Sequence, residues 1–315
     1  MSPSTIHSPL KKDLLNFRPD EATPEQLQKA CYPPRPDKEL TPKLYALWKD
    51  IAAREPQAIS TKLIPYDIEG LAESRNWSGA ILPIRREQLY DTPEKSAQGV
   101  PIPPDERFNR VTGSWTVPNL HPLKNHDGSY RDGEYAHYSW IGLDGWQDEA
   151  CLKIGVESKL LVEGGQIKSQ EQIPAILFVG PTEKSISAHV FEGFKVEPGD
   201  LLSASVWGNI DGNEGCGSII NQGRNEHAGG KVVASKGVFL RGRSAEWVAA
   251  GRNPDAPHPH PFPNYGATVF FNGLATSRKG EESISRAMLV DAEDVDSSAS
   301  RGNQVVMHSK LVPIV

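Results

Sequence analysis

Apolar positions follow two different patterns along the chain, and the change falls near residue 70. In the first part, "TPEQLQKAC" and "LTPKLYALWKDIAARE" both begin with Thr-Pro, a typical helix start. The second stretch places Leu44, Leu47, Trp48 and Ile51 at helical spacing. We therefore predict a short helical N-terminal arm over residues 1–70. A packing arm that covers a sheet face or edge, a lid and a propeptide-like segment are the alternatives.

From Asn76 onward the apolar residues come in short alternating runs separated by Gly, Pro, Asn and Asp. Examples are "RVTGSWTVP", "CLKIGVES", "IPAILFVGP", "LLSASVWG" and "GATVFFNG". About ten to fourteen such runs at regular spacing, with almost no helical periodicity, predict two packed antiparallel sheets. Residues 71–315 are thus predicted to form one all-β sandwich domain. The 28 glycines and 26 prolines fit such a loop-rich protein.

Charge and hydropathy narrow the classes of partner. The chain has 34 Lys and Arg against 40 Asp and Glu, a net charge of −6 without long like-charge blocks. This balance argues against nucleic acid or an anionic membrane as the main partner. The N-terminus has no apolar signal-peptide core, and no run long enough to span a membrane occurs. We expect a soluble protein.

The three cysteines, Cys31, Cys151 and Cys216, are far apart and have no C-x-x-C spacing. Their number and spacing indicate neither a disulfide framework nor a zinc site. A reducing, cytoplasmic location is the simplest expectation. His258 and His260 alternate with prolines, which is too little for a metal site without a third ligand. We therefore predict no metal and no cofactor.

Several pieces, read in order, resemble the glutamic peptidases, the eqolisin family. They are "NWSGAIL", "FNRVTGSWTVPN", "SWIGLDG", "VEPGDLLSASV", "AEWVA" and "YGATVFFNG". The resemblance covers about two thirds of the chain and no single motif carries it. It implies a two-sheet antiparallel β-sandwich with a lectin-like jelly-roll shape. It also implies a catalytic glutamine and glutamate facing each other across the concave sheet.

Both members of that catalytic pair are absent from this sequence. The family glutamine lies in a stretch of the type L-Q-x-G, which here reads "CLKIG" and puts Lys153 at the position. The family glutamate ends a segment A-E-W-x-x-E, which here reads "AEWVAA" and puts Ala250 there. Glu246 shares a strand face with Ala250 but lies about 13 Å away at ~3.3 Å per residue. It does not replace the glutamate without a register shift.

Three residues near the motif are candidates for catalysis: Lys153, Glu157 and Asp144. Lys153 is a salt-bridged surface lysine, a filler of the lost glutamine's space, or a working group that stabilises an oxyanion or donates to a carbonyl or phenolate. Glu157, four residues further on the same strand face, either holds the Lys153 ammonium or stays solvated. Asp144 in "LDGW" is either a turn former or a support for Lys153.

The substrate wall also differs from the family pattern. The family strand Y-x-A-W-Y-E-W-Y-P aligns with "IPAILFVGP", so Ile176 and Phe178 are expected to face the cleft and make it more hydrophobic. Trp77, Trp140 and Trp247 are either core residues or stacking platforms for a ligand. The predicted substrate-binding set is Trp77, Trp140, Ile176, Phe178, Trp247 and Ala250.

These features lead to a first hypothesis. The chain is a non-proteolytic enzyme on an eqolisin-like scaffold, acting on a small hydrophobic organic molecule by elimination, isomerisation or cyclisation, with specialised metabolism as a plausible setting. One alternative is a glutamic endopeptidase with a relocated catalytic pair, in which residues 1–70 are a propeptide. Another is a non-catalytic, lectin-like or pseudo-peptidase ligand-binding protein.

Overall fold

The architecture comes from a computed structural model that describes residues 9, 14, 16–59, 61–68, 77–84, 102–146, 150–180, 186–251, 263–290 and 296–309. Two α-helices come first, α1 (Pro24–Lys29) and α2 (Pro42–Ala52). The first strands are β1 (Gln57–Ala58), β2 (Lys62–Ile68), β3 (Trp77–Pro83), β4 (Arg110–Thr116), β5 (Gly133–Asp144), β6 (Cys151–Glu163), β7 (Gln166–Val179) and β8 (Ile186–Glu192). The remaining strands are β9 (Leu201–Gly208), β10 (Glu214–Asn221), β11 (Glu226–Val233), β12 (Ser244–Gly251), β13 (Ala267–Ser277), β14 (Gly280–Ser283), β15 (Met288–Val290), β16 (Asp296–Arg301) and β17 (Gln304–Ser309). A 3-10 helix spans Ile284–Arg286.

The strands form two sheets, which confirms the predicted all-β sandwich. The nine-stranded sheet has the order β1-β11-β10-β9-β4-β13-β17-β16, with β14 pairing with β13. The eight-stranded sheet has the order β15-β3-β12-β5-β6-β7-β8-β2. Among the described residues, neighbouring strands pair antiparallel except β1 with β11, which pair parallel. Neither α1, α2 nor the 3-10 helix is long and apolar enough to cross a bilayer.

Alternation along each strand separates the inner core from the outer face of the eight-stranded sheet. On β6, Leu152 and Ile154 point into the core between the sheets, whereas Lys153 lies on the outer face. This core is the main one, and it includes Trp247 and Trp115, both fully buried. Because side chains on a strand alternate with a period of two, one inner position fixes the side of its neighbours.

The outer face of the eight-stranded sheet carries its own apolar cluster. Tyr138 and Trp140 on β5, Leu177 on β7, and Val248 and Ala250 on β12 belong to it. Each of these side chains is less than one tenth exposed. An antiparallel sheet with one solvated face normally shows polar residues there, so this face is covered and forms a second, smaller core.

The N-terminal arm lies against the outer face of the other, nine-stranded sheet. Tyr32 and Trp48 pack with Ile220 of β10 in a separate apolar cluster. The Trp48 indole donates a 2.9 Å hydrogen bond to the Pro33 carbonyl. Helix α1 begins with a capping box in which the Thr23 hydroxyl and the Gln26 side chain each accept from the other's backbone N–H.

The predicted arm also contributes a strand to each sheet, so the sandwich begins before residue 70. Strand β1 pairs with β11 at one edge of the nine-stranded sheet. Strand β2 pairs with β8 at one edge of the eight-stranded sheet.

A buried histidine lies inside the sandwich. His137 on β5 is fully buried, and neither ring nitrogen has a hydrogen-bond partner among the described residues. Its ring packs against Tyr265 at 4.1 Å between centroids. Burial lowers the pKa of His137 to about 3, since a charged imidazolium has no solvent or counterion there.

This buried ring predicts a loss of stability in acid. The unfolded chain binds a proton on this side chain near pH 6.5 and the folded chain does not, so the free energy of unfolding is unaffected above that pH and falls below it. We expect His137→Phe, which keeps a ring against Tyr265, to reduce that fall by about 3 kcal/mol between pH 6.5 and pH 4. Urea unfolding across this range measures the effect, with the exposed His126 changed to Phe as control. Equal pH slopes for His137→Phe and the unmodified protein would contradict the assignment.

Candidate functional site

Lys153 and Glu246 meet on the outer face of the eight-stranded sheet. Strand β5 runs between their strands, and the register places Gly142 opposite Lys153 on one side and opposite Glu246 on the other. The Lys153 Nζ atom lies 3.9 Å from Glu246 Oε2. The two charges therefore form one pair across three neighbouring strands.

Two glycines leave the space that this Lys153–Glu246 pair occupies. A Cβ at Gly142 would lie 3.2 Å from Cγ of Lys153, so any side chain between the two strands would crowd the lysine stem. A Cβ at Gly145 would lie 2.9 Å from Glu246 Oε1. Gly145 also has φ 106°, a conformation that favours glycine. The two glycines of the "GLDG" stretch thus make room for the pair because they have no side chains.

Trp140 forms the floor beside the lysine. The ammonium lies 4.5 Å from the centre of the Trp140 ring, within the range of a cation–π contact. The Lys153 side chain is 17% exposed and that of Glu246 is 5% exposed. The pair is therefore largely removed from water but open on one side.

Electrostatics keep the lysine charged. Burial lowers the pKa of Lys153, but neighbouring Cys151 and Glu246 raise it, and the net pKa lies above the ordinary value. Burial also raises the pKa of the Cys151 thiol well above its usual range. Cys151 is therefore a neutral thiol near pH 7, and the Glu246 carboxylate supplies the charge that stabilises the ammonium.

Glu157 belongs to a second polar group on the same face, and neither predicted role for it is correct. It is 3% exposed, so it is not solvated. Its Oε1 accepts a 2.9 Å hydrogen bond from the Tyr138 hydroxyl and lies 3.8 Å from Lys159 Nζ. Glu246 rather than Glu157 holds the Lys153 ammonium.

Ala250 lies on the same face as Lys153 but not directly across from it. The register pairs Ala250 with Tyr138, which is in turn opposite Glu157. Lys153 is opposite Gly142, four residues further along β5. The positions that the resemblance assigned to the catalytic pair are therefore diagonal to each other on the sheet.

The expectation that Ile176 and Phe178 face the cleft is wrong. Both belong to the core between the sheets, where Ile176 lies against Gly217 of the opposite sheet. The outer face of β7 carries Ala175 and Leu177 instead. A shift of one residue moves every side chain of a strand to its other face, and the two outward residues are direct neighbours of the predicted ones. The outer face of β7 is still apolar, but Ala175 and Leu177 form it instead of the predicted residues.

The three tryptophans of the predicted set have different places. Trp140 lies on the outer face beside Lys153. Trp247 is fully buried between the sheets, where its indole donates a 3.0 Å hydrogen bond to the Thr112 carbonyl, so its predicted ligand contact is wrong. For Trp77 the backbone pairs with Ala250, and its side chain lies outside what the structure describes.

The structure gives Asp144 the first of its two predicted roles, that of a turn former, and within the described residues it forms no ion pair with Lys153. It is fully buried at φ 60°, where the chain turns into Gly145. Its carboxylate accepts backbone hydrogen bonds from Arg241, Gly242 and Arg243 at 2.6–2.8 Å. Burial raises the pKa of Asp144, although these backbone N–H groups lower it. The carboxylate holds the segment before β12 in place.

A small depression lies beside Lys153 on this face. It measures about 20 Å³ and is lined by Lys153, Trp140, Tyr138, Glu157, Ala175 and Leu177, among others. A space of this size holds about one water molecule or one small functional group. The depression alone is therefore too small for a whole substrate molecule.

Metal ligands do not gather at this site. Within the described ranges, no group of three or more His, Cys, Asp or Glu side chains is arranged to hold a metal ion. His258 and His260 lie outside the described residues.

A family model, the peptidase A4 family, matches residues 97–309, which is more than half of the chain. The chain belongs to the peptidase A4 family. The match confirms the predicted eqolisin resemblance and covers every strand from β4 onward. A search of curated protein sequences found no match.

Solved structures of glutamic peptidases share the family fold. Scytalido-glutamic peptidase with a transition state analog inhibitor superposes with a TM-score of 0.52 at 19% identity, covering 74% of this chain and 98% of that chain. Its complex with a peptide based transition state analog gives 0.51 at the same identity and coverage. Aspergilloglutamic peptidase from Aspergillus niger gives 0.44 at 19% identity, covering 56% of this chain and 99% of that chain. At such identities the likeness concerns the fold alone.

Glu246 is the site residue that sequence reasoning missed. Along β12, Glu246 lies about 13 Å from Ala250, which is too far for it to replace the missing carboxylate. Across the sheet, one intervening strand brings it to Lys153. The signal was present in the glycine of "WIGLD", because a residue without a side chain between two charged positions lets them meet.

Asp144→Asn tests the structural role of that carboxylate. The substitution replaces one acceptor oxygen by an amide group that faces backbone donors, so we expect a loss of about 2 kcal/mol in the free energy of unfolding. Urea denaturation measures it. Asp50→Asn is the control, since Asp50 is 63% exposed in an i,i+4 pair with Arg54, a kind of pair worth under about 0.5 kcal/mol. Equal effects of the two substitutions would contradict the assigned role.

Proposed function

We propose that this member of the peptidase A4 family is a non-proteolytic enzyme that acts on a small hydrophobic organic molecule at the Lys153–Glu246 pair. The single observation that carries the proposal is the 3.9 Å pair beside the Trp140 ring. It joins a hydrogen-bond donor of fixed charge to a carboxylate, and these are the two groups that proton transfer next to a carbonyl requires.

The pair supports a balanced reaction without a co-reactant. The Glu246 carboxylate removes a proton from the carbon next to a substrate carbonyl, and the electron pair moves onto the oxygen. The Lys153 ammonium donates a hydrogen bond to that oxyanion. Return of the proton at a different carbon completes an isomerisation, whereas departure of a β-substituent with its electron pair completes an elimination.

The surroundings favour an apolar substrate. Trp140, Ala175, Leu177 and Val248 form the face around the pair. Burying an aromatic or aliphatic body against such side chains contributes about 1.5–3 kcal/mol each when burial is complete. The depression of about 20 Å³ beside Lys153 would take the oxygen of the reacting carbonyl group.

A reducing, near-neutral location such as the cytoplasm fits the same proposal. Cys31, Cys151 and Cys216 are all free thiols. The buried His137 stays neutral in the folded chain down to about pH 3 and so disfavours the fold in acid. A protein adapted to strongly acidic conditions would gain nothing from this arrangement.

Binding of 4-nitrophenolate tests the oxyanion site, because substitutions of Lys153 and Glu246 should change its affinity in opposite directions. We expect Lys153→Met to weaken binding of the phenolate by about tenfold or more, since it removes a charge-assisted hydrogen bond. Glu246→Gln should strengthen it, because a like charge next to the phenolate oxygen is lost. Phenolate absorbance during titration is the readout.

The matched control is Lys159→Met, which changes a lysine on the same strand face that pairs with Glu134 and Glu157. It should leave phenolate binding unchanged. Catalysis is then read from deuterium exchange at the α-carbons of phenylacetone by NMR, and Glu246→Gln should abolish it. If Lys153→Met leaves phenolate binding intact, the proposal fails. Phenolate binding without exchange would favour a non-catalytic ligand-binding protein.

A second candidate is a peptidase with a relocated catalytic pair, and one observation favours it. On a scaffold shared with glutamic peptidases, a glutamate does lie beside Lys153, although not at position 250. In this reading Glu246 activates a water and Lys153 stabilises the tetrahedral intermediate.

Proteolysis in acid separates the two candidates. Fluorescent casein is incubated at about pH 3.5, below the ordinary pKa of a glutamic carboxyl. The proposed function predicts no cleavage by the unmodified chain. Cleavage that is lost in Glu246→Gln and retained in the control Glu134→Gln would instead establish the relocated pair.

A further inference from the structure

A large cavity lies on the opposite side of the sandwich from Lys153, between the N-terminal arm and the nine-stranded sheet. It has a volume of about 690 Å³, which is within the range of small-molecule sites. The arm contributes Tyr32 and Leu44 to its lining, and the sheet contributes Arg110, Trp207 and Cys216. We call this space the arm cavity.

Arg110 is the charged group that the arm cavity leaves without a counterion. The residue is 6% exposed. Its Nε donates to the Ser205 hydroxyl at 3.0 Å, and its Nη1 donates to the Pro34 carbonyl at 2.8 Å. Both partners are neutral, and no carboxylate of the described chain forms an ion pair with the guanidinium. A buried cation in such a place is costly unless an anion joins it.

The remaining charges of the lining do not supply that anion. Five basic and two acidic side chains line the arm cavity: Lys29, Arg35, Arg110, Lys231 and Arg278, with Asp37 and Glu214. The Glu214 carboxylate is held by Lys231 at 2.7 Å. That of Asp37 accepts the backbone N–H groups of Glu39 and Leu40 at 2.8 and 3.0 Å. The positive charge is therefore in excess around a cation with neutral partners.

Apolar groups make up much of the rest of the wall. Tyr32, Leu40, Leu44 and Trp207 line the arm cavity together with Pro24, Pro34 and Pro36. The guanidinium uses two of its five N–H groups on neutral partners, Ser205 and Pro34. One N–H of Nη1 and two of Nη2 remain for a ligand carboxylate, and the apolar wall suits an organic body better than a small, multiply charged phosphate.

We propose that the arm cavity binds a small organic carboxylate, with its anionic group on Arg110 and an aromatic or aliphatic body against Tyr32, Leu44 and Trp207. This site is separate from the Lys153–Glu246 pair and does not depend on the function proposed there. Burial lowers the pKa of Arg110 to about 9, and a bound carboxylate would restore the stabilisation that the guanidinium lost on leaving water.

Binding of 3-phenylpropionate, compared with its neutral amide 3-phenylpropionamide, tests the proposal by titration calorimetry on the whole chain. The carboxylate should bind in the millimolar range or tighter, and the amide about tenfold more weakly or worse, because only the carboxylate forms a charge-assisted hydrogen bond. Arg110→Gln should remove the difference between the two probes. Phenyl phosphate, as a third probe, should not exceed the affinity of the carboxylate.

Two further variants keep the proposal testable if Arg110→Gln does not fold. Ser277 lines the arm cavity, and Ser277→Trp adds a large side chain there while leaving Arg110 in place. This variant should abolish binding even if Arg110→Gln is unstable. Arg286→Gln removes an exposed arginine outside the arm cavity and should leave binding unchanged. Equal binding of acid and amide, no binding of 3-phenylpropionate, full binding by Ser277→Trp, or tighter binding of phenyl phosphate would each overturn the proposal.

Discussion

The register between β6, β5 and β12 is the constraint on which the candidate site depends. It puts Gly142 between Lys153 and Glu246 and so brings an ammonium and a carboxylate to 3.9 Å. A register shift by one residue on β6 or β12 would turn Lys153 or Glu246, respectively, into the apolar core. The core side chains Leu152, Ile154 and Trp247 hold the register, since each is packed between the sheets. Packing between the sheets thus determines which charged side chains meet on the outer face.

The fold class was predictable because alternation along a strand is a local property. Runs such as "CLKIGVES" show the period of two directly, and the structure places Leu152 and Ile154 inward with Lys153 outward on β6. The exposed face of one strand can therefore be read from its own residues. The same alternation does not say which of two faces an aligned segment presents when the alignment is uncertain by one residue, and this led to the error at Ile176 and Phe178.

The partners across strands were beyond local reasoning. The contact of Lys153 with Glu246 joins positions 93 apart in sequence and needs the order β6-β5-β12, which no single stretch reveals. Asp144 shows the same limit, because its backbone donors lie about a hundred residues further along the chain. In both cases the local sequence singles out a polar residue, but the groups that it contacts lie on a distant strand or segment that the local pattern does not identify.

The two edge strands of the N-terminal segment limit how this chain is processed. Strand β1 closes one edge of the nine-stranded sheet, and β2 closes one edge of the eight-stranded sheet. Cleavage at residue 70 would strip both and leave β11 and β8 with unpaired backbone groups, which readily recruit other chains. A propeptide is removed to release a mature protein. Removal of the N-terminal segment would therefore uncover two positions of β11 and seven of β8, so this segment contributes backbone pairing to both sheets.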